Sequence, residues 1–349
     1  MKLNFCTLFN SNYLSRGIAL YRSLENCATD FHLFVFAFDE QSENYLRKQE
    51  YKNMTVVGLK EFEDSELLRV KPSRSAAEYC WTCTSSTILY SIEKFKLDHC
   101  TYLDADMLFY SDPSVLINEM GEKDILITEH RYSPVYDQSK ESGRFCVQFV
   151  TFKNTENGMT ALRWWRNACI EWCYNRVEDG KFGDQKYLDD WETRFKGVHV
   201  LEHLGGGVAP WNLQQYNVFQ KNDKIFIREK KSGNEFPLVF FHFHGVKFYA
   251  NGILSLSGAA YNISSEMKEI LFFPYIKTLV KIADEIKISG AKFDANGASG
   301  KSPTSPWGFS LALFYYLADV KASLKNIGGR NMGERKLHHH YYSTANFQQ

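Results

Sequence analysis

Short apolar runs alternate with longer stretches of helical periodicity over the first two-thirds of the chain. That alternation predicts parallel strands joined by crossover helices, an α/β fold with a mostly parallel, Rossmann-like sheet and helices on both faces. Strands are expected over residues 3–9, 32–38, 55–59, 99–103, 125–129, 146–152 and 238–243. Several are continuously apolar, the pattern of strands covered on both faces rather than on one. Residues 160–174 carry Ala161, Trp164, Trp165, Ala168 and Trp172 at helical spacing, which predicts an amphipathic helix packed on the sheet.

From about Asn251 the strand pattern stops. Residues 265–286 read as helix, with Pro274 either kinking it or starting a second one. Residues 289–308 are rich in Gly, Ser and Pro and read as a flexible segment; residues 309–324 return to a helical pattern before a polar tail. The expected division is an α/β domain over residues 1–253 and a helical C-terminal region over residues 254–349.

Composition narrows the partners. The 349 residues carry 41 basic and 41 acidic side chains, so no net field draws the chain to nucleic acid or to an anionic membrane, and anion binding has to be local. The longest apolar stretches are too short to span a bilayer, and the N-terminus meets polar Asn10-Ser11-Asn12 before a signal-like region develops. Eight scattered cysteines suit reduced thiols better than a disulfide framework. Together these predict a cytoplasmic protein. The mildly basic, aromatic C-terminus, with Lys321, Lys325, Arg330, Arg335 and Lys336 near Tyr341 and Tyr342, allows peripheral contact with the inner face of a membrane.

The chemistry concentrates where the strand at 99–103 runs into Asp104-Ala105-Asp106. Two carboxylates one residue apart at the carboxyl edge of a sheet can share a divalent cation, which would neutralise a diphosphate; equally, the pair reads as an acidic turn or as caps for the next helix. Asp112 and Pro113 predict that a helix starts just beyond this loop. Arg74 or Lys71, in a basic loop before the Trp81 helix, is a further candidate contact for a phosphate or sugar.

Tyr102-Leu103-Asp104-Ala105-Asp106-Met107-Leu108 resembles the metal-binding motif of glycosyltransferases with the GT-A fold, and three more segments agree in order. Thr7-Leu8-Phe9-Asn10-Ser11-Asn12-Tyr13 is similar to the first strand and nucleotide loop of glycosyltransferase family 8, with Asn10 in place of the usual acid. Gly183-Asp184-Gln185 resembles that family's Asp-Gln pair, and Phe241-His242-Phe243-His244-Gly245-Val246-Lys247 its His-x-x-Gly-x-x-Lys segment, with the lysine one residue early. Arg144-Phe145-Cys146-Val147-Gln148 departs from the Asn-x-Gly more usual there.

The resemblance implies Mn²⁺ or Mg²⁺ held by Asp104, Asp106 and His242, with His244 as a rival ligand. It implies a nucleotide-sugar, favouring UDP, held by Asn10, Asn12, Tyr13, Asp104, Ala105, Gly245 and Lys247. Asp184 and Gln185 would be the catalytic residues, lying at the transferred sugar and supporting its oxocarbenium-like centre, and transfer would retain configuration. The acceptor would be a saccharide, lipopolysaccharide or other glycan, or a lipid-linked saccharide. Two rivals remain: a sugar-nucleotide nucleotidyltransferase, whose Gly-rich basic N-terminal loop is missing, and a binding module without turnover. Residues 295–302 nearly spell a phosphate-binding loop, but Ala295 stands at the first Gly position and no strand precedes it.

Overall fold

The computed structural model describes residues 2–258, 261–302 and 340–348. The C-terminal helix expected over residues 309–324, and the basic stretch from Lys321 to Lys336, lie outside the described residues.

Eight strands come first: β1 (Leu3–Phe9), β2 (Phe31–Ala37), β3 (Met54–Gly58), β4 (His99–Leu103), β5 (Met107–Phe109), β6 (Ile125–Glu129), β7 (Phe145–Lys153) and β8 (Val198–Val200). All but β5 form one sheet in the order β3-β2-β1-β4-β7-β6-β8, with only β7 antiparallel to its neighbours. The α/β expectation is met, and six of the seven expected strands lie within about a residue of their predicted bounds.

The alternation along β1 shows why the sheet is covered twice. Phe5 and Phe9 point into one apolar cluster with the Leu14–Cys27 helix, while Cys6 and Leu8 enter another with Cys83, Ile88 and Trp165. The second face is closed by the Ala76–Phe95 and Glu156–Glu171 helices. The former starts in a reciprocal cap: Ser75 Oγ accepts from Glu78 N (3.3 Å) and Glu78 Oε2 accepts from Ser75 N (2.8 Å). The latter buries Ala161 and Trp165 as predicted, but it ends at Glu171, because Trp172 adopts an extended backbone.

Three expectations are corrected. The acidic loop is followed first by β5; the helix begins only at Ser114, whose amide donates to Asp112 Oδ1 (2.9 Å). After a β9 (Tyr216–Lys221), β10 (Lys224–Glu229), β11 (Glu235–Pro237) meander, the expected strand at 238–243 shortens to β12 (Phe240–His242), which leaves the main sheet and pairs antiparallel with β5. Strands also continue past Asn251: β14 (Ile253–Ser255) and β15 (Tyr341–Ser343) join β13 (Lys247–Phe248) in a small antiparallel sheet.

Pro274 starts the Phe273–Ile288 helix, after a π-helical turn over Lys268–Phe272. Leu271, Phe272, Tyr275 and Leu279 of this region share the apolar cluster of Phe5 and Ile18, so these C-terminal residues join the core of the α/β layer. Among the described residues, no helix is long and apolar enough to cross a membrane. All eight cysteines are free.

Candidate functional site

In the central sheet β1 connects outward through β2 to β3, while β4 lies on its other side, so the strand order reverses between β1 and β4. A crevice outside the carboxyl ends of the strands at such a point is where open α/β sheets bind ligands. Asn10 follows β1 and Asp104 follows β4, and both line a single cavity of about 710 Å³.

Asp104, Asp106 and His242 meet there. Each offers a ligand atom, and these atoms all lie within 4.8 Å of one another. His242 Nε2 is 3.1 Å from Asp106 Oδ1 and 3.7 Å from Asp104 Oδ2. The pairing of β12 with β5 sets His242 opposite Met107, and Phe243 N donates to Asp106 O (2.9 Å), so backbone hydrogen bonds hold the distant imidazole over the acidic loop. On its other side, His242 Nδ1 lies 2.7 Å from Gln148 Oε1.

The electrostatics of the trio favour a bound cation. Enclosure, together with the charge on Asp106, raises the Asp104 carboxyl to about 6 despite the pull of His242. Enclosure also works against charge on Asp106, but the His242 imidazole and its hydrogen bond outweigh it and hold that carboxyl at about 2. Burial opposes a proton on His242; Asp106 and Asp104 overcome it and push the imidazole well above its ordinary value. Two carboxylates thus draw one positive charge into the cluster, and two oxygens and one imidazole nitrogen suit a divalent metal.

Asp184, only 6% exposed, reaches the cavity because Trp165 Nε1 donates to its backbone oxygen (2.9 Å), tying the 183–185 turn to the Glu156–Glu171 helix. Burial first, and then Asp104, raise the Asp184 carboxyl to about 7. Gln185 also lines the cavity, its Nε2 donating to Ser142 O (2.7 Å). Asn12, Tyr13 and Ala105 line it as well, while Asn10 Oδ1 accepts from Asn12 N (3.1 Å) and shapes the loop. His244 lines the cavity too, but it does not join the three grouped ligands.

Other predicted contacts do not come to this cavity. Arg74 stacks on Tyr174 (3.8 Å to the ring centroid) and donates to Ile170 O (3.2 Å), facing a separate groove with Arg69. Gly245 supplies a turn at φ +84°, and Lys247, on β13, holds its Nζ 5.1 Å from the Tyr249 ring centroid; neither is among the lining residues. The register of β13 against β14 directs that lysine elsewhere.

Sequence reading missed other residues. Asp39 accepts from Ser11 N (2.9 Å) and Ser11 Oγ (2.6 Å), pinning the loop after β1. Arg16, 2% exposed, donates to Asn12 O (3.4 Å), Asn296 O (3.2 Å) and Val246 O (3.0 Å), and it stacks 4.3 Å from the Tyr13 ring centroid. Trp211 stands edge-on to His242 (5.4 Å, 89°). An arginine among Leu14, Ile18 and Leu20, and a glutamine within the apolar run of β7, were the available signals for Arg16 and Gln148.

The phosphate-loop lookalike packs against the outside of the loop after β1. Ser15 Oγ donates to Asn296 Oδ1 (2.5 Å), and Ala295 is buried, so the described part of the segment expected to be flexible is anchored. Gly297 has φ +63°, and a Cβ there would lie 2.7 Å from Asn12 Cβ and 2.8 Å from Asn12 O. Gly297→Ala should therefore lower stability by about 1–3 kcal/mol, read as a lower unfolding midpoint; an unchanged midpoint would mean that the Asn12 loop moves aside freely.

No protein-family model matches the chain. The uncharacterized protein YfnD of Bacillus subtilis (strain 168) is 32% identical over 292 residues, covering 81% of this chain and 91% of the relative. YfnF of the same strain is 30% identical over 251 residues, 70% of this chain and 81% of the relative. Among solved structures, the galactosyltransferase LgtC in complex with donor and acceptor sugar analogs aligns with a TM-score of 0.47 at 13% identity, over 82% of this chain and 99% of that one. Apo mouse xyloside xylosyltransferase 1 aligns with a TM-score of 0.38 at 13% identity, over 58% and 85%.

Proposed function

We propose, for a chain that belongs to the family of Bacillus subtilis YfnD and YfnF, the function of a metal-dependent GT-A-type glycosyltransferase. It would move a hexose from a nucleotide-diphospho-sugar to a saccharide acceptor. The observation that carries this reading is the meeting of Asp104, Asp106 and His242 at the β1/β4 switch point, in one cavity with the Asn10–Tyr13 loop and Asp184.

A bound Mn²⁺ or Mg²⁺ would supply Lewis-acid neutralisation of the charge that grows on a departing diphosphate. The protein's own groups do the rest. Asp104 and Asp106 offer carboxylate oxygens and His242 offers Nε2, held in place before any ligand arrives. Asn12 and Tyr13 hold the nucleoside, in a loop that Asp39 and Arg16 brace from behind. Asp184, whose carboxyl burial and Asp104 raise to about 7, would hydrogen-bond a sugar hydroxyl when protonated and stabilise oxocarbenium-like charge when ionised. Gln185 is held beside it by Ser142. Retention of configuration, UDP as the nucleotide, and a glycan or lipid-linked acceptor follow from the family 8 resemblance.

The test is a thermal-shift panel of nucleotide-sugars with and without Mn²⁺. A ligand at a hundred times its Kd adds about 2.7 kcal/mol to the folded state. The expected result is a raised melting temperature for one class of diphospho-sugar, seen only with Mn²⁺. Equal curves across the panel, or shifts indifferent to Mn²⁺, would reject the reading.

A further inference from the structure

Gln148 lies fully buried in β7, where an amide side chain costs free energy unless it is hydrogen-bonded. Its Oε1 lies 2.7 Å from His242 Nδ1, while its Nε2 is buried with no hydrogen-bond partner among the described residues. A buried donor left unmade is a standing cost, and what this side chain achieves in return is the single contact at Oε1. A carbonyl oxygen can only accept, so that contact requires a proton on Nδ1. A neutral imidazole protonated there presents its Nε2 lone pair. Nε2 is the atom that faces Asp106 and Asp104.

The same residue also braces the acidic loop, because its backbone oxygen accepts from Asp104 N (3.2 Å). With the amide turned round, its Nε2–H would meet Nδ1, and the ring proton would move to the nitrogen that faces the carboxylates, leaving no lone pair for a cation.

We infer that Gln148 is a positioning residue that fixes His242 as the Nδ1–H tautomer and aims Nε2 at the divalent cation shared with Asp104 and Asp106. This rests on the metal-site reading above. Hydrogen-bonded partners behind a metal-binding imidazole fix its tautomer and orientation, and their loss typically weakens binding about 10–100-fold.

The experiment is calorimetric titration of Mn²⁺ into the full chain, for the wild type, Gln148→Leu and Gln148→Glu, with the metal-free melting temperature of each. Gln148→Leu removes the acceptor and should lose about 10–100-fold in Mn²⁺ affinity while melting near the wild type. Gln148→Glu keeps an acceptor and should bind at least as tightly as the wild type. Unchanged Mn²⁺ affinity in Gln148→Leu overturns the inference. If that variant does not fold, Gln148→Glu decides: retained affinity supports the role, and affinity lost there overturns it. A wild-type chain that takes up no Mn²⁺ overturns the metal site itself, and the inference with it.

Discussion

Asp106→Ala is expected to abolish metal-dependent nucleotide binding and to lower transfer on the order of 10³-fold, the upper end of what losing one preorganised charge-stabilising group costs. The residue is the nearer of the two carboxylates to His242, 3.1 Å from Nε2, and its carboxyl is held at about 2 by that imidazole. Removing it leaves Asp104 and His242 3.7 Å apart, a two-ligand remnant with weaker hold on a cation. The fold should survive, because Asp106 lies in a loop whose backbone bond, Phe243 N to Asp106 O, does not need the side chain. Mn²⁺ titration, donor turnover and a melting curve on one preparation separate the outcomes. Wild-type turnover in a folded Asp106→Ala chain would dismiss the metal assignment; collapse of the melt would show that Asp106 serves structure.

Arg16→Ala should have the largest effect on folding, about 2–6 kcal/mol, because it leaves two buried backbone acceptors without their donor. The guanidinium spans three backbone oxygens from separate parts of the chain: Asn12 on the loop after β1, Val246 just before β13, and Asn296 on the C-terminal segment. With the side chain gone, Val246 O and Asn296 O lose their donor in buried positions, and unmade buried hydrogen bonds cost about 1–3 kcal/mol each, while Asn12 O, on an exposed residue, can turn to water. Arg16→Met keeps much of the apolar stem and should recover part of the packing but none of the bonds. Urea unfolding of both variants is the measurement. A loss confined to Arg16→Ala, with Arg16→Met at the wild-type midpoint, would mean that the stem matters and the three bonds do not.

Both expectations depend on contacts between segments far apart in sequence, and that is where sequence reading lost resolution. Apolar runs such as 99–103 state their own burial, so the central strands were legible almost residue by residue. The helix carrying Ala161 and Trp165 was equally legible, apart from its ends, which depend on caps and on where the chain must turn. The acidic pair stood out because charge at the end of an apolar strand is unusual, and His242 entered only through resemblance to a family. Arg74 and Lys247 failed to arrive because a basic side chain in a loop or short strand goes where its packing sends it: onto Tyr174 in one case and towards Tyr249 in the other.

What the amino-acid sequence determined by itself was the layered α/β arrangement and the position of two carboxylates at the tip of β4, since period-2 and period-3.6 patterns are local and burial follows them. What only the tertiary structure decided was which distant groups complete the site. β12 left the main sheet for β5, the residues of 295–302 came to rest against the Asn12 loop, and Gln148 fell behind His242. Pairings of that kind depend on the register of short strands and on a few buried hydrogen bonds, and no local periodicity encodes them.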